Sequence, residues 1–159
     1  MSLKSKIALF PGSFDPITKG HEDIVLRALA IFDKIIIGIG ENSKKQKLFS
    51  FEQRKFWVEK TFQSYSNVSV IAYTGLTALF CKTHDINAIV RGVRNASDFE
   101  FEQMVSAVNK NFYSDLETCI LFSAPELMHI NSSIVRELYF NQADVSSFTP
   151  SAIDIYQQK

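Results

Sequence analysis

The chain has 159 residues, enough to bury a core without disulfides or metals, and that length makes one domain over 1–159 the expectation. Seventeen basic residues cancel seventeen acidic ones, which argues against a protein that grips DNA or RNA through many phosphates while leaving room for a local basic pocket. Two cysteines form no disulfide or metal framework, no apolar run approaches the ~18 residues of a membrane span, and the polar opening Met1-Ser2-Leu3-Lys4-Ser5-Lys6 has no signal-peptide core, so no membrane partner is expected and the cytoplasm is the default.

In chain order, Ile7 to Phe10 reads as a strand ended by Pro11-Gly12. His21 to Asp33 reads as a helix with Ile24, Val25, Ala28, Leu29 and Phe32 on one face. Ile35 to Ile39 is a β-branched run suited to a strand buried on both sides. Ser50-Phe51-Glu52-Gln53 is a capping box opening a helix to about Tyr65. Val68 to Tyr73 is a third strand, Leu76 to Thr83 a short helix carrying a buried Cys81, and Ala88 to Val90 a fourth strand. A helix from about Ala96 carries the apolar stripe Phe101, Met104, Val105, Val108 and Phe112, and the many phenylalanines are expected mainly in the core. Thr118 to Phe122 is a fifth strand with Cys119 as a second buried thiol. One helix starts near Asn131 and another near Pro150, where proline suits a first turn.

Strands alternating with helices predict an α/β fold: a Rossmann-like sandwich with a five-stranded parallel sheet and helices on both faces. Right-handed crossovers place every strand's C-terminal end on one edge, where ligands bind in such sheets. Four loops at that edge carry chemistry. After strand one, Pro11 to His21 combines Gly12, Ser13 and Phe14 with a histidine at a helix N-terminus, whose free N–H groups suit an anion; a capping turn with an exposed histidine is the alternative. After strand two, Lys44, Lys45 and Lys47 could meet phosphates or form an ordinary solvated loop. After strand four, Arg91-Gly92-Val93-Arg94 offers two guanidinium groups. Asp98 and Glu100 are explained by the helix N-terminus, whereas Glu102 lies a turn further in. After strand five, Leu127-Met128-His129-Ile130-Asn131-Ser132-Ser133 leads to a helix capped by Asn131.

Pro11-Gly12-Ser13-Phe14-Asp15-Pro16-Ile17-Thr18-x-Gly20-His21 resembles the nucleotide-binding signature of adenylyl- and cytidylyltransferases related to class I aminoacyl-tRNA synthetases. Arg91-Gly92-Val93-Arg94, Asp98 to Glu102, and Ile130-Asn131-Ser132-Ser133-x-Val135-Arg136-Glu137 resemble the bacterial phosphopantetheine adenylyltransferase family, over about Ile7 to Tyr156. The resemblance implies transfer of an adenylyl group from ATP to 4′-phosphopantetheine, giving dephospho-coenzyme A and pyrophosphate. It implies catalytic roles for His21, Lys45 and Ser13. It implies ATP contacts from Ser13, Phe14, His21, Gly92, Val93, Arg94, Glu102 and Leu127, Met128, His129, Ile130, Asn131, Ser132 and Ser133. Phosphopantetheine would be held by Ser13, Lys45, Thr77 and Arg91. Mg2+ would arrive with ATP, with no protein metal ligands assigned. A homohexamer and feedback binding of coenzyme A are further implications. Asn131 stands where the family has serine.

No serine or cysteine nucleophile with a paired base is visible, so direct attack without a covalent enzyme intermediate is expected. Rival readings are a transferase using nicotinate mononucleotide or glycerol phosphate, and a nucleotide-binding regulator without catalysis.

Overall fold

The computed structural model describes residues 5–41 and 46–157. Strands β1 (Ile7–Gly12), β2 (Lys34–Gly40), β3 (Val68–Tyr73), β4 (Ala88–Val93) and β5 (Glu117–Phe122) alternate with helices α1 (Lys19–Ala28), α2 (Phe51–Phe62), α3 (Thr77–Thr83) and α4 (Ala96–Phe112). A 3-10 turn at Pro125–Leu127 precedes α5 (Ser132–Phe140). The sheet is parallel throughout, in the order β3-β2-β1-β4-β5. The chain therefore builds outward from β1 on one side, then crosses back to place β4 on the other. That reversal opens a crevice at the C-terminal ends of β1 and β4.

Strand side chains alternate between two apolar layers. Ala8, Phe10, Ile35, Ile37 and Val90 pack with Val25 and Ala28 of α1, Trp57 and Val58 of α2, and Val135 of α5. Leu9 and Ile89 pack on the opposite face with Ala78 and Cys81 of α3 and with Leu116. The expected Rossmann-like sandwich is the fold observed. The N-caps also follow the sequence: Ser50 and Gln53 form the capping box, Asn95 caps α4 and Asn131 caps α5.

Several expectations are corrected. The first helix ends at Ala28, because Ala30 and Ile31 bond to carbonyls three residues back and tighten the turn before Asp33 joins Lys6. No helix follows Pro150; residues 150–157 form turns. Ile153 and Ile155 are both buried in the core, and a two-residue spacing cannot share one helix face. Cys81 is buried and its thiol pushed up to about 12 by burial, but Cys119 is only half-buried; both are free. The largest departure is α4. Phe101, Met104, Val108 and Phe112 are 57%, 63%, 54% and 43% exposed, while Glu102 is the buried residue of the helix. Phe101, Glu102, Val105, Ser106 and Asn109 border the strand-end crevice, so the stripe is split: Phe101 and Val105 reach the crevice while Met104, Val108 and Phe112 are turned outward.

Candidate active site

The loop after β1 is held by its carbonyl groups. Arg91 Nη1 donates to Pro11 O at 2.6 Å, Arg54 Nη1 to Ser13 O at 2.5 Å, and Arg136 Nη1 to Asp15 O at 2.7 Å. Ser132 Oγ donates to Pro16 O at 2.8 Å. Guanidinium groups from α2, β4 and α5 thus take up every second carbonyl between Pro11 and Asp15. The buried Asp15 carboxylate accepts the N–H groups of Leu48 and Phe49, each at 2.9 Å, tying the approach to α2 back onto this loop. Phe14 has φ 48 and its ring lies over Gly12, where an added Cβ would come within 2.9 Å of it. The missing side chain at Gly12 therefore makes room for the Phe14 ring. The Asp15–Pro16 peptide is cis.

Thr18 caps α1, and His21 completes a capping box with it. The Thr18 backbone N–H donates to His21 Nδ1 at 3.0 Å. The imidazole sits edge-on to Phe14 and Phe10, with ring centroids 5.2 and 6.2 Å away. Burial, then the charges of Arg91 and Arg94, lower its pKa to about 4. Both alternatives weighed for this histidine hold together: it caps the helix with one ring nitrogen and lines a cavity. It is not the exposed group that the capping alternative supposed.

Two cavities meet across Arg91. One, of about 370 Å3, is bordered by Ser13, Phe14, His21, Arg94, Asn131 and Ser132. The other, of about 350 Å3, is bordered by Tyr73, Thr77, Ser106 and Asn109. Pro11, Gly12, Ser13, Arg91, Phe101 and Glu102 border both. Arg91 is fixed between them by Pro11 O and by Glu102 Oε1, 2.5 Å from its Nη2. Arg94 is bidentate to Asp98, at 2.8 and 3.1 Å. Those bonds hold the Asp98 carboxyl below its usual range against the opposing effect of burial. Thr77 Oγ1 is 2.9 Å from the Tyr73 hydroxyl.

Of the residues expected at the site, Ser13, Phe14, His21, Thr77, Arg91, Gly92, Arg94, Glu102, Ile130, Asn131 and Ser132 border one or both cavities. Val93 is buried in the fold, while Leu127, Met128, His129 and Ser133 border neither of these cavities. His129 is exposed and stands edge-on to Phe148; Ser133 accepts from Arg136. Lys45 lies outside the described residues. Asn131 Oδ1 accepts the Ile134 N–H at 3.0 Å, so the cap survives the change from serine. Arg54, Thr18, Tyr73, Ser106 and Asn109 were missed as site residues. Thr18 and His21 at capping-box spacing offered a sequence signal for the first pairing. Ser106 and Asn109 could only be found once the orientation of α4 was known.

Among the described residues no group of three or more His, Cys, Asp or Glu stands together to hold a metal ion. No helix among them is long and apolar enough to cross a membrane.

Residues 9–138 match the family model described as cytidylyltransferase-like. The chain is 46% identical over 149 residues to the phosphopantetheine adenylyltransferase of Cytophaga hutchinsonii, covering 94% of this chain and 99% of the relative. It is 45% identical to the enzyme of the same name from Flavobacterium psychrophilum, covering 93% and 97%. Among solved structures, a bifunctional NMN adenylyltransferase/ADP ribose pyrophosphatase from Francisella tularensis superposes with a TM-score of 0.66 at 22% identity, covering 94% of this chain and 46% of that one. At that identity the structural likeness speaks to the fold alone.

Proposed function

This chain belongs to the phosphopantetheine adenylyltransferases, within the cytidylyltransferase-like family, and from that premise we propose that it transfers the adenylyl group of ATP to 4′-phosphopantetheine, yielding dephospho-coenzyme A and pyrophosphate. The observation that carries the reading is the pair of cavities joined at Ser13 and Arg91. One suits a nucleotide whose phosphates face His21, Arg94 and the start of α5. The other suits an elongated acceptor whose phosphate end meets Arg91.

In this arrangement the acceptor phosphate attacks the α-phosphorus of ATP in line. A P–O bond forms, the α–β anhydride bond breaks, and pyrophosphate leaves with the bonding electrons. The acceptor oxygen is already anionic, so no general base is required. Catalysis rests on positioning and on donors aimed at developing charge. A neutral His21 with Nδ1 occupied by Thr18 keeps its proton on Nε2, and that N–H serves as a donor to the α-phosphoryl group. Arg91 neutralises charge where the two phosphates meet; family resemblance gives Lys45 a role in holding the same acceptor. Mg2+ would arrive with the nucleotide as part of that substrate and would offset the charge of its triphosphate.

The outward apolar face of α4 supports association between copies, and we extend the family's homohexamer to this chain. Mass spectrometry of a mixture of protein, Mg2+-ATP and phosphopantetheine tests the reaction. Dephospho-coenzyme A is expected; unchanged phosphopantetheine would reject it.

A further inference from the structure

The loop carrying Ser13 and Phe14 is held from behind by a side chain that borders neither cavity. Arg54, on α2, is only 4% exposed. Burying a guanidinium is costly unless its donors are used. Here Nη1 donates to Ser13 O and Nε to Phe49 O at 3.3 Å, while the group lies 5.6 Å from the centre of the Phe51 ring. Burial lowers its pKa and the carboxylates of Asp15, Glu41 and Glu52 oppose that, so it remains a cation.

The Ser13–Phe14 peptide is trans, so its C=O and N–H point in opposite directions. With Ser13 O turned to Arg54, the Phe14 N–H is turned away from α2. Ser13 and Phe14 both border the His21 cavity. We propose that Arg54 is a positioning residue for adenylyl transfer: by holding the Ser13 carbonyl it aims the Phe14 backbone N–H at the reacting phosphoryl group. It acts through the peptide and does not touch substrate. Its charge also polarises that peptide, strengthening the N–H as a donor. The inference rests on the function proposed above.

Kinetics of Arg54→Gln and Arg54→Lys test it, with rates expressed per folded molecule. Arg54→Gln is expected to lower kcat roughly 10–10²-fold, the scale of one lost transition-state donor. KM for ATP and for phosphopantetheine should stay within about threefold, since the contact strengthens mainly in the transition state. Arg54→Lys keeps the charge and can reach one carbonyl, so it should recover part of kcat. A lower melting temperature with kcat per folded molecule unchanged would overturn the inference. Should the Gln variant not fold, the wild-type protein still answers. Its Phe14 amide resonance should move when α,β-methylene-ATP and Mg2+ are added, and a stationary Phe14 amide overturns the proposal. Pyrophosphate release by wild type is the control. Its failure removes the proposed function, whereas its success beside an unchanged Arg54→Gln kcat removes the role of Arg54 alone.

Discussion

The Thr18 backbone N–H lies 3.0 Å from Nδ1 of His21, so the residue that caps α1 also determines which ring nitrogen carries the histidine's proton. A neutral imidazole accepting at Nδ1 is protonated at Nε2. Burial beside Arg91 and Arg94 disfavours a second proton. The same helix entrance therefore stabilises α1 and prepares an uncharged donor at the cavity.

Replacing His21 with Ala should lower kcat roughly 10²–10³-fold, as for loss of an oxyanion donor. Thr18→Ala should behave differently. It removes a capping oxygen at a cost of about 1 kcal/mol, but the backbone N–H that orients His21 remains. Its kcat per folded molecule should fall far less. Denaturant unfolding and steady-state kinetics on both variants check the separation; equal losses of kcat would show that the Thr18 hydroxyl does the orienting.

The protonation of His21 gives a pH signature. Its folded pKa, about 4, lies below the ordinary 6.5. Between those values the unfolded chain binds more protons, so this group's contribution to stability is full above about 6.5 and is lost as pH falls toward 4. An NMR titration should find the His21 ring still neutral at pH 6. The kcat profile should show no step near 6.5 assignable to this residue. An imidazolium at pH 6 would contradict the neutral-donor role.

The parallel sheet, the strand-end edge and the two loops at the switch point were legible because each rests on local pattern: short apolar runs, Ser50 and Asn131 as caps, and glycine and arginine after a strand. The orientation of α4 was not. Its stripe of Phe101, Met104, Val105, Val108 and Phe112 has the spacing of a core face, and periodicity cannot distinguish burial in the fold from exposure on it, where Met104, Val108 and Phe112 lie. In the fold Glu102 faces inward and pairs with Arg91, a long-range contact that the local pattern does not announce. Arg54 escaped notice for the same reason, since nothing in its own helix indicates Ser13, 41 residues away.

Glu102 offers a test of that pairing. Family resemblance assigns it to ATP, whereas its carboxylate accepts from Arg91 Nη2 at 2.5 Å. Glu102→Gln should cost roughly 1–2 kcal/mol through loss of a charge-assisted bond. It should raise KM for phosphopantetheine more than KM for ATP. A change confined to ATP would return Glu102 to the nucleotide.

The outward face of α4 is expected to be covered by another copy. Met104, 63% exposed, is its most open apolar side chain. Met104→Glu should reduce the assembled mass seen by light scattering while leaving the far-ultraviolet circular dichroism of the fold unchanged. Undiminished mass would place the contact elsewhere.

Acceptor-dependent pyrophosphate release is the most direct measurement of the central claim. With Mg2+ and ATP supplied, the protein should release pyrophosphate when 4′-phosphopantetheine is added, and His21→Ala should do so far more slowly. Nicotinate mononucleotide and glycerol phosphate should give none. Release with nicotinate mononucleotide and not with phosphopantetheine would contradict the account.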